Sequence, residues 1–198
     1  MKTNKKEEPA GMFHVKHNKK IDQYITLLKE YNEHTNVYSK KAYDKLDFHI
    51  QDAKNIAELI TNNNCNVVDI GSGSGFPSIV LAIINDNNRI FAVESKQKKC
   101  QFLSLVKKEM SLNNLSIIHC DINEFLAKTK HEINLFTAKA FGPIEKITKI
   151  LNRAGHLNTK LIVPISINQF EETRDNNAYA FQTCKIQNTT FYYLTKKE

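Results

Sequence analysis

A short glycine-rich segment near the middle of the chain carries the residues best suited to binding a nucleoside. Residues 67–77 read VVDIGSGSGFP and are followed by an apolar run. The β-branched residues around Asp69 predict a buried strand, and the alternating glycines predict a tight turn into a helix. Because glycine has no Cβ, the backbone N–H groups of such a turn can approach a bound nucleoside closely.

The spacing of the glycines distinguishes between classes of cofactor. A dinucleotide fingerprint requires G-x-G-x-x-G, whereas Gly71, Gly73 and Gly75 form G-x-G-x-G, with Asp69 two positions earlier. This arrangement resembles motif I of class I S-adenosylmethionine-dependent methyltransferases. A nicotinamide oxidoreductase is therefore the least favoured class of enzyme.

Two further segments follow predicted strands and are suited to the rest of such a cofactor. Glu94 ends the second predicted strand, where a carboxylate can accept hydrogen bonds from both ribose hydroxyls. Ile122 and Asn123 follow the third strand, in the loop that flanks adenine in this fold. The backbone of Ile122 or the side chain of Asn123 would bond to the exocyclic amine. An ordinary helix cap at Asp121 or Asn123 is the alternative.

The segment after the fourth predicted strand, residues 137–143, is where such enzymes place the atom to be methylated. It contains no Asn-Pro-Pro-Tyr motif for an exocyclic amine and no cysteine for attack on pyrimidine C5. Lys139 and Phe141 instead offer a cation and an aromatic ring. These suit a nucleophile that needs no activation, such as guanine N7, so positioning carries the catalysis and no general base is expected.

His49 and Asp52 lie three positions apart on a predicted helix and therefore share one face. They line the rim of the site or form an ordinary surface pair.

The elements that must position these residues are predicted from hydrophobic periodicity. Alternation of strands and helices after residue 63 predicts an α/β fold, a Rossmann-like methyltransferase sheet preceded by a helical extension. We divide the chain into a flexible basic leader (1–18), the helical extension (19–62) and the methyltransferase domain (63–198). Helices are predicted at 20–35, 44–60, 97–111 and 143–152, and strands at 66–70, 89–94, 116–120, 133–138, 160–165, 178–186 and 189–195.

Composition limits the environment and the partners of the chain. Its 198 residues are 41% apolar, enough for a packed core, yet none of the apolar runs approaches the ~20 residues of a membrane span. The polar start of the chain lacks a secretory pattern, so we expect a cytoplasmic protein. Four cysteines without a C-x-x-C pair argue against a metal site. A formal charge of +7 favours a polyanionic partner such as nucleic acid.

The chain resembles the bacterial ribosomal small-subunit methyltransferase G family, also called glucose-inhibited division protein B. The resemblance implies transfer of methyl from S-adenosylmethionine to N7 of one guanine in 16S ribosomal RNA, as free RNA or within the small ribosomal subunit. We expect a monomer that uses no metal and no membrane. The family's cofactor contacts fall on Gly71, Phe76, Ile122, Asn123 and Lys139. The matching segments are Asn36, residues 49–52, residues 69–77, Glu94-Ser95, Lys98-Lys99, Phe102-Leu103, Glu124-Phe125 and residues 139–141.

Three positions depart from the family's usual pattern. Lys139 replaces an arginine, Ser78 replaces a glycine, and residues 163–165 replace a Lys-Gly pair. Lysine keeps the charge of arginine but lacks its planar fork. Two alternatives therefore remain open: a ribose 2′-O methyltransferase with Lys139 as base, and an RNA-binding relative with impaired catalysis.

Selection of one guanine requires a base extruded from the RNA, and Phe141 or Phe76 is the candidate for stacking on it. Phosphate contacts would add affinity without sequence preference. The candidates for them are Lys2, Lys5, Lys6, Lys16, Lys19, Lys20, Lys40, Lys41 and Lys45.

Overall fold

The computed structural model describes residues 10–154, 156, 159–175, 179–186 and 189–196. A short 3-10 helix, Lys40–Lys45, joins the first two α-helices. The helices are α1 (Ala10–Glu33), α2 (Leu46–Leu59), α3 (Ser78–Ile84), α4 (Gln97–Glu109), α5 (Ile122–Lys128), α6 (Ile144–Arg153) and α7 (Ile167–Thr173). The strands are β1 (Asn66–Ile70), β2 (Arg89–Glu94), β3 (Leu115–His119), β4 (Leu135–Thr137), β5 (Lys160–Ile165), β6 (Tyr179–Ile186) and β7 (Thr189–Lys196).

The strands form one mixed sheet in the order β3-β2-β1-β4-β5-β7-β6. The first five strands are parallel, and β7 runs antiparallel to both β5 and β6. Strands β2 and β3 lie on one side of β1, and β4 and β5 lie on the other, so the strand order reverses between β1 and β4. In open α/β sheets, that reversal opens a crevice at the carboxyl ends of the strands, where ligands bind.

Helices cover both faces of the sheet. One hydrophobic cluster joins residues of α1 to α4 to the sheet, including Tyr24, Ile56, Ile79 and Phe102, all fully buried. A second cluster, on the other face, includes Phe125 and residues of α6. This three-layer architecture confirms the α/β fold expected from the sequence. Because α1 and α2 share a core with α3 and α4, the predicted helical extension is packed onto the sheet. Within the described residues, no helix has both the length and the apolar character to span a bilayer.

The predicted bounds of β1, β2 and β5 agree with the structure. The predicted leader does not, because α1 begins at Ala10 and residues 10–18 are helical. Residues 10–18 contain a single lysine and give no clear apolar period, although no proline interrupts them after residue 9. Residues 1–9 lie outside the described part of the chain, and with them three of the predicted RNA-contacting lysines. The exact domain limits stay a prediction.

Candidate active site at the carboxyl edge of the sheet

The glycine turn connects β1 to α3 and is held against the end of β2. The N–H groups of Gly71 and Ser72 both donate to the carbonyl of Val93, at 2.8 and 3.1 Å. Gly71, Gly73 and Gly75 have φ angles of +70°, +60° and +108°, a region that side chains with a Cβ rarely adopt. The strained turn therefore depends on glycine at all three of the positions that the sequence singled out.

Glu94 joins the glycine turn to the loop after β2. Its carboxylate is buried, with one oxygen accepting from Gly73 N at 2.9 Å and the other from Lys96 N at 2.8 Å. A carboxylate offers about four acceptor positions, so about two remain. The predicted ribose ligand is thus held rigidly by backbone donors and keeps the capacity to accept two hydroxyl groups.

Asp69 is fully buried beneath the turn, and neither of its carboxylate oxygens has a well-formed hydrogen bond. Burial raises the pKa of this carboxyl to about 6, and the nearby hydroxyls of Ser72 and Ser78 oppose that rise. The Ser72 hydroxyl donates instead to the backbone carbonyl of Asp69, at 3.0 Å. A buried carboxylate without a partner is costly, so this position favours a cationic ligand group.

Phe76 packs inside an aromatic cluster and is only 7% exposed. Its ring lies 5.2 Å from the ring of Tyr24, 6.2 Å from Tyr38 and 5.9 Å from His49, centroid to centroid. The Tyr24 hydroxyl donates to the carbonyl of Ser74 at 2.8 Å, which fixes the turn to α1. Phe76 therefore shapes the turn from within, and the prediction that an RNA base stacks on it is disfavoured.

Ile122 and Asn123 begin helix α5. Ile122 is buried, and Asn123 is exposed. Asp121 caps the helix by accepting from the backbone N–H of Asn123 at 2.8 Å, and it also accepts from the Asn123 amide at 2.7 Å. The helix cap considered from the sequence is thus present at Asp121. The adenine contact at Ile122 and Asn123 stays a prediction.

Lys139 follows β4, and its half-buried ammonium group forms an ion pair with the buried carboxylate of Asp52 on α2. The other oxygen of Asp52 accepts from the hydroxyl of Tyr193 on β7 at 3.0 Å, and the Asn55 amide donates to that same hydroxyl at 3.0 Å. Asp52 is 3% exposed, so the reading of His49 and Asp52 as an ordinary surface pair is wrong for Asp52. Tyr193 and Asn55 were missed from the sequence.

His49 is half-buried beside this ion pair. Burial and, to a smaller degree, the Lys139 cation lower the pKa of its imidazole to about 4. Its Nδ1 atom has no hydrogen-bond partner among the described residues. A histidine with this pKa is neutral near pH 7, so it adds no charge to the site.

Phe141 lies directly over the first glycine of the turn. A Cβ added to Gly71 would be 2.7 Å from Cδ2 of the Phe141 ring. The Nζ atom of Lys146 lies 4.5 Å from the centroid of the same ring. Positive φ angles at Ala140 and Gly142, +52° and +140°, direct the chain back toward the turn. The structure thus brings the two predicted segments, after β1 and after β4, into contact.

Comparison with known proteins relates the chain to one family. A family model described as rRNA small subunit methyltransferase G matches residues 17–198. A Ribosomal RNA small subunit methyltransferase G from Brachyspira hyodysenteriae is 37% identical over 145 residues, covering 73% of this chain and 69% of that protein. One of the same name from Ureaplasma parvum is 31% identical over 157 residues, covering 77% and 73%.

Solved structures resemble the chain in fold. A precorrin-6y C5,15-methyltransferase from Geobacter metallireducens superimposes with a TM-score of 0.60, covering 81% of this chain and 92% of that one. The sequences are only 16% identical, so the likeness concerns the fold alone. It identifies the sheet as the class I methyltransferase sheet that the glycine spacing predicted.

Proposed function

The chain belongs to the rRNA small subunit methyltransferase G family, and from that premise we propose that it methylates N7 of one guanine in 16S ribosomal RNA. The methyl donor is S-adenosylmethionine. The observation that carries the proposal is the meeting of two segments at the switch point of the sheet. There, Phe141 packs on Gly71 and Lys139 pairs with Asp52.

The residues around the glycine turn suit the donor. S-adenosylmethionine supplies a methyl group on a positively charged sulfur. Glu94 would accept its ribose hydroxyls, and the unpartnered carboxylate of Asp69 would compensate its cationic methionine part. The backbone of Gly73 would lie against the ligand, because this glycine carries no Cβ, whereas the corresponding space at Gly71 is filled by the Phe141 ring. Phe76 supports the turn, and Ile122 with Asn123 would border the adenine.

The acceptor side requires no proton transfer, because guanine N7 carries a free lone pair at neutral pH. Transfer moves a positive charge from sulfur to the purine. A bare ammonium group beside the purine would oppose that movement, but Asp52 neutralises Lys139. Lys139 has further N–H donors with which to orient the guanine. The site therefore acts by position and by its fixed charges.

The ion pair also bears on the ribose 2′-O alternative. A lysine that donates to a buried carboxylate is arranged as a hydrogen-bond donor, whereas the ribose reaction needs a base. We infer that N7 is the favoured acceptor. We further propose that the protein acts as a monomer in the cytoplasm, without a metal, on the RNA alone or within the small subunit.

The test uses small subunits and protein-free 16S RNA that lack the modification. Purified protein and isotope-labelled S-adenosylmethionine should place one methyl group on a guanine base, located by nuclease digestion and mass spectrometry. A methyl group on ribose would support the alternative enzyme. Calorimetry in parallel measures cofactor binding. Binding without any transfer would favour the impaired relative. The absence of both binding and transfer would contradict the proposal.

A further inference from the structure

The ring of Phe48 is exposed and rigidly supported. The residue is 46% exposed, one of two large apolar side chains in the described part of the chain with such exposure. Its ring stacks on that of Phe191, with centroids 5.0 Å apart and planes inclined by 20°. The ring of His49 meets it edge-on at 5.7 Å. One face of Phe48 is thus covered by protein, and much of the side chain remains accessible.

Phe48 stands beside the ion pair of the acceptor site. Nζ of Lys139 lies 5.8 Å from the centroid of the Phe48 ring. Phe48 and Asp52 are one helical turn apart on α2, so they lie on the same face of the helix and both contact Lys139. The exposed ring therefore borders the place where the methyl acceptor must enter.

We propose that Phe48 is the surface on which the target purine stacks when it leaves the RNA. This inference rests on the proposed function. Phe76 and Phe141 are poorer candidates, because Phe76 is buried and Phe141 packs on Gly71. Phe48 is already fixed by Phe191, so little conformational freedom is lost when a base stacks on it.

Because the charges near Phe48 nearly cancel, stacking on its ring would supply a large part of the recognition of the RNA at this place. Residues 40–47 contain three lysines and two aspartates. One of these lysines, Lys40, pairs with Glu33. Attraction of phosphate to this segment is therefore weak. Stacking of a base on an aromatic side chain accounts for roughly 5- to 150-fold in binding and adds orientation as well.

The test compares an aliphatic and an aromatic replacement at the same position. Phe48→Leu keeps apolar cover over Phe191 but removes the aromatic face, whereas Phe48→Trp retains and enlarges it. Methyl transfer to unmodified small subunits is measured for both variants and the wild type. We expect kcat/KM to fall by about 10-fold or more in Phe48→Leu and to stay within about 3-fold of wild type in Phe48→Trp. Cofactor affinity, measured by calorimetry, should be unchanged in both.

Three outcomes would overturn the inference: wild-type kinetics in Phe48→Leu, equal losses in the two variants, or weakened cofactor binding in Phe48→Leu. Equal losses would mean that the ring acts by packing. An inactive wild-type protein would instead contradict the proposed function, so the two failures are distinguishable.

Discussion

The two halves of the site are built on different principles. The cofactor half, defined here as the glycine turn with Asp69 and Glu94, comes from the ends of two neighbouring strands and the turn after the first, and it relies on backbone N–H groups. The acceptor half, defined as Phe48, Asp52, Lys139 and Tyr193, consists of side chains from α2, the loop after β4 and strand β7. Its hydrogen bonds join residues 87 and 141 positions apart. We therefore expect that added atoms disturb the cofactor half, whereas the loss of side-chain atoms disturbs the acceptor half.

The halves also differ in charge. The cofactor half holds two buried carboxylates, and Asp69 has no partner among the described residues. In the acceptor half, Asp52 and Lys139 neutralise each other. Negative charge thus lies where a cationic donor would bind, and a neutral pair lies where a neutral purine would become cationic. The comparison predicts that changes in the two halves affect different measurements.

The largest effect is expected from Asp52→Asn, which leaves the half-buried Lys139 cation without its partner. Removing one member of a buried ion pair costs about 3–5 kcal/mol, and the 14% exposure of the Lys139 side chain favours the lower end. We expect a loss of about 3 kcal/mol in the free energy of unfolding, measured by denaturant titration, with a marked loss of methyl transfer. Asp47→Asn, an exposed aspartate in the first turn of the same helix, is the matched control and should change stability by less than about 1 kcal/mol. Equal effects of the two variants would refute the role of the ion pair.

The effect of replacing Asp69 on the free energy of unfolding should depend on pH. Its pKa is raised to about 6, from 3.8, so the folded chain binds this proton more tightly than the unfolded chain. Through this group the free energy of unfolding therefore rises as the pH falls from about 7 to about 4. A shift of about two units corresponds to about 3 kcal/mol. Asp69→Asn should lose this trend. As the pH is lowered from 8 to 4, the free energy of unfolding of Asp69→Asn should therefore decrease by about 3 kcal/mol relative to that of the wild type. A difference that stays constant with pH would contradict the raised pKa.

Gly75→Ala tests the intolerance of the cofactor half to added atoms. The new Cβ would lie 2.4 Å from Cγ1 of Ile79, at a φ of +108°. In Gly73→Ala, the matched control, φ is +60° and the nearest atom is 3.8 Å away, so only backbone strain of about 1 kcal/mol applies. We expect Gly75→Ala to be less stable than Gly73→Ala by about 2 kcal/mol, and we expect both variants to bind S-adenosylmethionine more weakly than the wild type. Thermal unfolding and calorimetry provide the two measurements. Identical behaviour of the two alanine variants would show that the turn relaxes around the added methyl group.

The smallest effect is expected from Tyr193→Phe, which removes one hydroxyl from the acceptor half. Asp52 loses a hydrogen bond of 3.0 Å, and the Asn55 amide loses its acceptor. Stability should fall by about 1–2 kcal/mol, and methyl transfer should fall with cofactor affinity preserved. Tyr192→Phe, on the same strand, is the control. If Tyr193→Phe weakened cofactor binding as much as Gly75→Ala, the division into two halves would fail.

The difference between the halves also explains which features the sequence revealed. Strand β1 and the glycine turn are contiguous, and their pattern reports local geometry directly. Helix α7 was not predicted, and α5 was considered only through its cap, because seven residues are too few for a clear helical period. A signal for α7 was present, since Ser166 and Gln169 form a capping box.

Within the acceptor half, the sequence identified Lys139 by its place after β4 and paired His49 with Asp52 by helical spacing. It gave no sign of Tyr193, because alternation along a strand shows which face a residue occupies but not its partner. Likewise, the exposure of Phe48 and the burial of Phe76 depend on neighbours far along the chain.

The sequence by itself determined the glycine turn, the carboxylate at the end of β2, the class of cofactor and the family. These depend on residues close together in the chain, whose spacing governs backbone conformation. Only the tertiary structure decided that Asp52 would neutralise Lys139, that Tyr193 would hold Asp52, and that an exposed aromatic ring would stand beside them. Those contacts form when α2 and β7 pack against the end of β4, and burial of the whole core fixes that packing.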